Sequence, residues 1–264
     1  MLKFAFFFTF GRFSIIIYNE ENNRNRFFGR KGYFMKIAGL QKLTLLDFPG
    51  KVACTVFTDG CNFRCPFCHN ASLVLPNGHI GEISEEEFFA FLKRRKGVLD
   101  GVVVTGGEPT LASGLYEFIA KVKSMGYLVK LDSNGSMPDK LRVLIDDGLL
   151  DYIAMDIKTV PEKYDSVAGV KVDGNKIWES MDRIRHSGIP HEFRTTVVKG
   201  LHTKEDIVGV AKLLGEGEAY YLQSFVDSGD ILSDGCEAFS AEEMHAIADE
   251  ARRFCPTVQL RGIE

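Results

Sequence analysis

The chain has 264 residues, 45% of them apolar and 26% charged, with only 8 prolines. This excludes a disordered, collagen-like or low-complexity chain and leaves room for one large α/β domain or two small ones. With 32 Lys plus Arg against 36 Asp plus Glu, the net charge of −4 provides no basic footprint, so no nucleic-acid partner is expected. The 6 cysteines are too few and too clustered for a disulfide scaffold, which predicts a reducing, cytoplasmic setting.

From the N-terminus, Leu2 to Tyr18 is nearly all apolar, but Thr9, Gly11, Arg12 and Ser14 interrupt it. The run falls short of the roughly 18 uninterrupted apolar residues a spanning helix needs, so no membrane association is expected. Lys3 ahead of the run suits a signal peptide, yet no small-x-small cleavage site precedes Asn19-Glu20-Glu21-Asn22-Asn23. Arg30-Lys31-Gly32 can be encoded by a purine run of the ribosome-binding type just ahead of Met35. Residues 1–34 are therefore expected to be an extension, either a misplaced start or a disordered leader. Residues 35–264 are expected to form one domain, since no Pro/Ser-rich linker or charge block divides them.

Beyond Val52, short β-branched runs alternate with stretches of helical period. The expected strands are Val52 to Phe57, Gly101 to Thr105, Tyr127 to Leu131, Tyr152 to Met155, Glu192 to Val197 and Ala219 to Leu222, with Val258 to Leu260 as a possible seventh. Ser84 with Glu87, and Ser240 with Glu243, form capping boxes ahead of apolar runs and mark helix starts. In the helix expected over Asn175 to Ser187, Ile177, Met181 and Ile184 share a face, Trp178 packs, and Gly188 and Pro190 end it. This repeated β-then-α order predicts a parallel sheet, either doubly wound or a full or partial (β/α) barrel. Both place functional residues where strands end at the C-terminal edge.

At the end of the first of these strands lies Cys61-Asn62-Phe63-Arg64-Cys65-Pro66-Phe67-Cys68. Three soft thiolates on one loop suit an iron–sulfur cluster, zinc or cuprous ion. A structural zinc site needs a fourth ligand, for which His69 or Cys54 stands available; His69 adjoins Cys68, and Cys54 sits in an apolar strand pattern. Three ligands on a four-iron cluster would instead leave one iron open. At the end of the second strand stands Gly106-Gly107-Glu108-Pro109, where two glycines allow close backbone approach and Glu108 can accept from an ammonium. In an extended segment Asp156 and Lys158 would share a face by period two.

These motifs resemble those of the radical S-adenosylmethionine superfamily, with its CxxxCxxC loop after the first strand and its Gly-Gly-Glu-Pro after the second. The resemblance implies a partial (β/α) barrel of about six parallel strands. It implies a 4Fe-4S cluster on Cys61, Cys65 and Cys68, with S-adenosyl-L-methionine bound beside it. Gly106, Gly107 and Glu108 would hold the methionine amino group and Phe67 would lie against adenine. Lys158 and Arg194 would meet the carboxylate, with Asp132 and Asp156 near the sulfonium or a cation; Gln223 is a less defined candidate. Within the superfamily, Asp47-Phe48-Pro49-Gly50 and Cys68-His69-Asn70 are similar to motifs of the activases that install glycyl radicals, particularly those serving anaerobic ribonucleoside-triphosphate reductase. That likeness implies that a 5′-deoxyadenosyl radical takes a hydrogen from one glycine of the reductase. Cys54, Cys236 and Cys255 are too scattered for a second cluster, so the electron would come from flavodoxin or ferredoxin. The competing readings are a radical S-adenosylmethionine enzyme acting on a small molecule or peptide, for example in deazapurine synthesis, and a zinc-binding interaction protein.

Overall fold

The computed structural model describes residues 2–9, 12–19, 26–28, 34–75, 83–227 and 229–263. The chain forms two compact units, Met1–Phe34 and Met35–Glu264. In the first, β1 (Leu2–Thr9), β2 (Arg12–Asn19) and β3 (Arg26–Phe28) pair antiparallel in that order. The polar stretch Glu20–Asn23 and the segment Arg30–Tyr33 lie outside the described residues. Among the described residues no helix is long and apolar enough to cross a membrane.

The second unit is built on one sheet of eight strands. β4 (Ile37–Thr44) is antiparallel to β5 (Ala53–Thr58), and from there every pair is parallel. The parallel series continues through β6 (Gly101–Gly106), β7 (Leu128–Ser133), β8 (Tyr152–Asp156), β9 (His191–Val197), β10 (Tyr220–Ser224) and β11 (Gln259–Arg261). Spatial order follows chain order without doubling back, so the sheet is wound one way as a partial (β/α) barrel, not a doubly wound sheet. All six expected strands and the possible seventh are present, each within a few residues of its expected bounds. The additional strand is β4. Its sequence contains Gly39 and its pairing slips between Ile37 and Gly39 and again between Gln41 and Thr44, so no clean alternation announces it.

The helices cover the outer face of the sheet. α2 (Glu85–Arg94) starts at the Ser84 capping box, with Glu87 N–H donating to Ser84 Oγ at 3.2 Å, and buries Phe88, Phe89, Phe91 and Leu92. Its Phe88 ring meets Phe118 of the next helix at 5.1 Å. α6 (Gly174–Arg185) buries Ile177, Met181 and Ile184, the residues its spacing marked, and Trp178 packs edge-on to Tyr164 at 6.0 Å. At the opposite end from the strand C-termini, the Asp47-Phe48-Pro49-Gly50 turn closes the barrel. Thr55 Oγ1 donates to Asp47 Oδ2 at 2.6 Å, and the buried Phe48 packs with Ala53, Val103 and the Tyr152 ring. The turn thus seals the floor, leaving the C-terminal mouth open for a site.

Candidate active site

The cysteine loop leaves β5 at Thr58 and is tied down on both sides. Glu108 N–H donates to Gly60 C=O at 2.8 Å, and Gly107 N–H donates to Thr58 C=O at 3.0 Å. A Cβ at Gly107 would lie 2.0 Å from the Gly60 carbonyl oxygen. The close approach these glycines permit is therefore first of all to the neighbouring loop, not only to a ligand. On the other side, Arg64 N–H donates to Ala168 C=O at 2.8 Å, at the end of α5 (Tyr164–Ala168). Gly169 follows with φ +69°, and a Cβ there would lie 2.2 Å from the Arg64 carbonyl oxygen. The Arg64 guanidinium folds back and donates to Cys61 C=O at 2.6 Å and Phe63 C=O at 2.7 Å, which sets the curvature of the loop.

Cys61, Cys65 and Cys68 line one cavity of about 220 Å³ together with Phe67, Gly106, Gly107, Glu108, Asp132, Asp156, Lys158 and Arg194. Every site residue marked in the sequence thus faces the same space, and Gln223 joins them. Burial pushes the Cys61 thiol up to about 11 and raises Cys65 and Cys68 as well, so these sulfurs need a metal to hold them as thiolates. Among the described residues no three His, Cys, Asp or Glu side chains converge on one point as ligands of a single ion do. A cubane gives each thiolate its own iron and does not ask for such convergence. The zinc alternative lacks a fourth ligand in place. His69 stacks on Phe225 at 5.5 Å, and Cys54 is fully buried within β5, its thiol pushed up to about 12. The donor set fits a cluster held by three thiolates.

The carboxylates beside the cysteines are held in two ways. Glu108 is buried at the N-cap of a short 3-10 turn. It accepts from Thr110 N–H and Oγ1, from Ser133 Oγ at 2.9 Å and from Asn134 N–H at 2.6 Å. Burial raises its carboxyl above the ordinary range, with the four donors opposing. Three of these donors meet at Oε1 and one reaches Oε2, so the protein itself holds the carboxylate in place while Oε2 keeps an acceptor position on the cavity. Across the cavity, Arg194 Nε donates to Asp156 Oδ1 at 2.8 Å, its Nη1 to Asp132 Oδ2 at 3.3 Å, and Lys158 Nζ to Asp156 Oδ2 at 3.2 Å. Burial pushes both Asp carboxyls up, but the Arg194 guanidinium, joined by Lys158 at Asp156 and by Lys130 at Asp132, more than reverses this and leaves both below their ordinary value. The buried Lys130 ammonium also bonds Asp132 directly.

Phe67 is buried at 4% exposure and meets the His202 ring edge-on at 6.1 Å, so its ring forms part of the cavity wall. His202 Nδ1 accepts from Val198 N–H, which leaves Nε2–H to donate to the Lys158 carbonyl at 2.8 Å and fix the segment after β8 that carries Lys158. Sequence reasoning missed His202, Asn134 and the lower layer of the barrel interior. In that layer Glu192 accepts from both Nη atoms of Arg261 at 2.9 and 2.7 Å and from Tyr152 at 3.1 Å. The signal that would have found Glu192 is the period-two face Glu192, Arg194, Thr196 on β9.

Residues 55–214 match the model of the radical SAM superfamily. A Methanocaldococcus jannaschii protein named "Putative glycyl-radical enzyme activating enzyme" is 34% identical over 237 residues, covering 86% of this chain and 96% of its own. GTP 3′,8-cyclase of Aquifex aeolicus is 26% identical, over 81% of this chain and 69% of its own. Among solved structures, Streptococcus suis SuiB bound to precursor peptide SuiA gives a TM-score of 0.60 at 12% identity, covering 77% of this chain and 47% of that one. QueE from Escherichia coli gives 0.50 at 15% identity, covering 86% and 94%. The two structures share the fold, while the match over residues 55–214 and the 34% relative show descent: this chain belongs to the radical SAM superfamily, whose members use a 4Fe-4S cluster and S-adenosylmethionine.

Proposed function

We propose that this radical S-adenosylmethionine enzyme is a glycyl-radical activase whose substrate is a protein, an anaerobic ribonucleoside-triphosphate reductase. The observation that carries the reading is the charge balance of the cavity. Among the described residues its lining cations, Lys158 and Arg194, are both engaged by Asp132 and Asp156, which leaves none of them as a spare positive charge for a triphosphate. The long match to the M. jannaschii protein supports the same reading.

Cys61, Cys65 and Cys68 hold the cluster, and the loop clamped by Arg64 sets their spacing. Lys158 and Arg194 take the carboxylate of S-adenosylmethionine and Asp132 and Asp156 its positive groups, by exchange of partners within the existing ion pairs. Phe67 forms the apolar wall on which adenine lies. When bound and reduced by one electron, the cluster and S-adenosylmethionine supply the hydrogen abstraction: methionine and 5′-deoxyadenosine leave, and the glycine Cα keeps the unpaired electron. A glycine is a fitting target, since its backbone presents a Cα–H without a side chain and its flanking amides delocalise the radical. Flavodoxin or ferredoxin in the cytoplasm delivers the electron.

The test is electron paramagnetic resonance on the reduced holoprotein with S-adenosylmethionine and the anaerobic reductase of the same organism. A persistent doublet is expected, and it should collapse to a single line when the reductase carries glycine deuterated at Cα. No radical on the reductase, with 5′-deoxyadenosine formed in proportion to an added metabolite, would overturn the reading in favour of a small-molecule substrate.

A further inference from the structure

Asn134 stands just past β7, buried at 6% exposure, between Glu108 and the cysteine loop. Its backbone N–H donates to Glu108 Oε2 at 2.6 Å, and its side-chain oxygen accepts from Ser136 N–H at 2.9 Å. Its amide nitrogen donates to Asn62 Oδ1 at 3.0 Å and toward Cys61 Sγ at 3.9 Å. The orientation of this amide is fixed by chemistry. A backbone N–H only donates, so the end that meets Ser136 is the oxygen, and the two amide hydrogens face Asn62 and Cys61.

We propose that Asn134 is a positioning residue that raises the reduction potential of the cluster through an N–H···S bond to Cys61. Adding an electron increases the negative charge on the ligating sulfurs, so a donor aimed at one of them stabilises the reduced state more than the oxidised one. Phe63 N–H, within the cysteine loop, already donates to the same sulfur at 3.3 Å, and Asn134 adds a second donor from the segment after β7. Because Glu108 anchors the Asn134 backbone, the Gly-Gly-Glu-Pro turn and the cluster ligand are joined through one residue. The inference rests on Cys61 being a ligand, a premise with its own readout: Cys61→Ala retaining all its iron would remove that premise whatever Asn134 does.

The experiment is a redox titration of the holoprotein followed by electron paramagnetic resonance. Asn134→Leu is similar in size, uncharged and without a donor. It is expected to keep its iron and lower the potential, the reduced fraction at a fixed poise falling about tenfold, which is about 59 mV for one electron. Asn62→Leu leaves the Asn134 amide beside Cys61 and is expected to titrate like the unsubstituted protein. An unchanged potential in Asn134→Leu, or an equal fall in Asn62→Leu, overturns the proposal. Should Asn134→Leu fail to hold iron, the unsubstituted protein decides. With nitrogen-15 in the asparagine side chains, pulsed resonance on the reduced cluster should detect one coupled amide nitrogen that persists in Asn62→Leu, and finding none overturns the proposal.

Discussion

Glu108 and Asp156 line the same cavity, yet the protein treats them oppositely. Glu108 is surrounded by neutral donors and its carboxyl is raised by burial; Asp156 stands between a guanidinium and an ammonium and is lowered in spite of burial. Neutral donors fix a shape, because each bond is directional and none leaves a charge to trade. Alternating ions fix a charge balance, and a zwitterion entering the cavity can replace one partner by another of the same sign. The first region therefore acts as scaffold for the loops, and the second as the exchangeable part of the site.

The largest expected effect lies outside both regions. Replacing Cys61, Cys65 or Cys68 by Ala should abolish the brown chromophore and the iron content after anaerobic purification. Cys54→Ala, Cys236→Ala and Cys255→Ala should retain both, and loss of iron in one of these with retention in Cys61→Ala would reassign the ligands. Next comes Glu108→Ala, which strands four donors in the interior and should lower unfolding stability by about 3 kcal/mol in denaturant titrations. If Asp156→Ala costs as much, the contrast between scaffold and exchangeable site breaks.

Affinity sharpens the same contrast. Lys158→Ala and Arg194→Ala should bind S-adenosylmethionine about tenfold more weakly, about 1.4 kcal/mol, with iron unchanged, as read by calorimetry on the holoprotein. Glu108→Gln should change that affinity less, since the carboxylate is held by four donors of the protein itself and the variant retains a carbonyl acceptor. The smallest effect is on pH dependence. An aspartate whose folded value is lowered contributes its stability in full above the unfolded value near 3.9, and loses it as the pH falls through the folded value. Stability should therefore decline from about pH 5 towards pH 3, and less steeply in Asp156→Asn; equal slopes would show that the ion pairs contribute nothing to folding.

Much of this site could be read in the sequence because its chemistry is local. The cysteine loop spans Cys61 to Cys68, Gly-Gly-Glu-Pro is contiguous, and Asp156 and Lys158 are two residues apart at the end of β8. The six core strands were legible for the same reason, as short local runs rich in apolar, β-branched and aromatic residues. What the sequence hid depends on distant partners. Glu192 and Arg261 meet across 69 residues, and Asn134 reaches the cysteine loop across more than that. Nothing near Asn134 in Ser133-Asn134-Gly135 distinguishes a donor to sulfur from an ordinary turn residue. β4 was hidden for another reason: a bulged strand at the sheet edge loses the alternation by which strands are recognised.

Gly169 caps α5 in the left-handed conformation, and its missing Cβ is also what admits the Arg64 carbonyl and lets the cysteine loop seat against α5. In a survey of random variants scored by the colour of colonies or of purified protein, a lesion at this glycine should fall into the same pale class as lesions at the cysteines, although it removes no ligand. Supplying excess iron and sulfide during reconstitution should restore colour to the glycine class and leave the cysteine class pale, so the survey itself would separate residues that bind iron from those that only shape the place where it is bound.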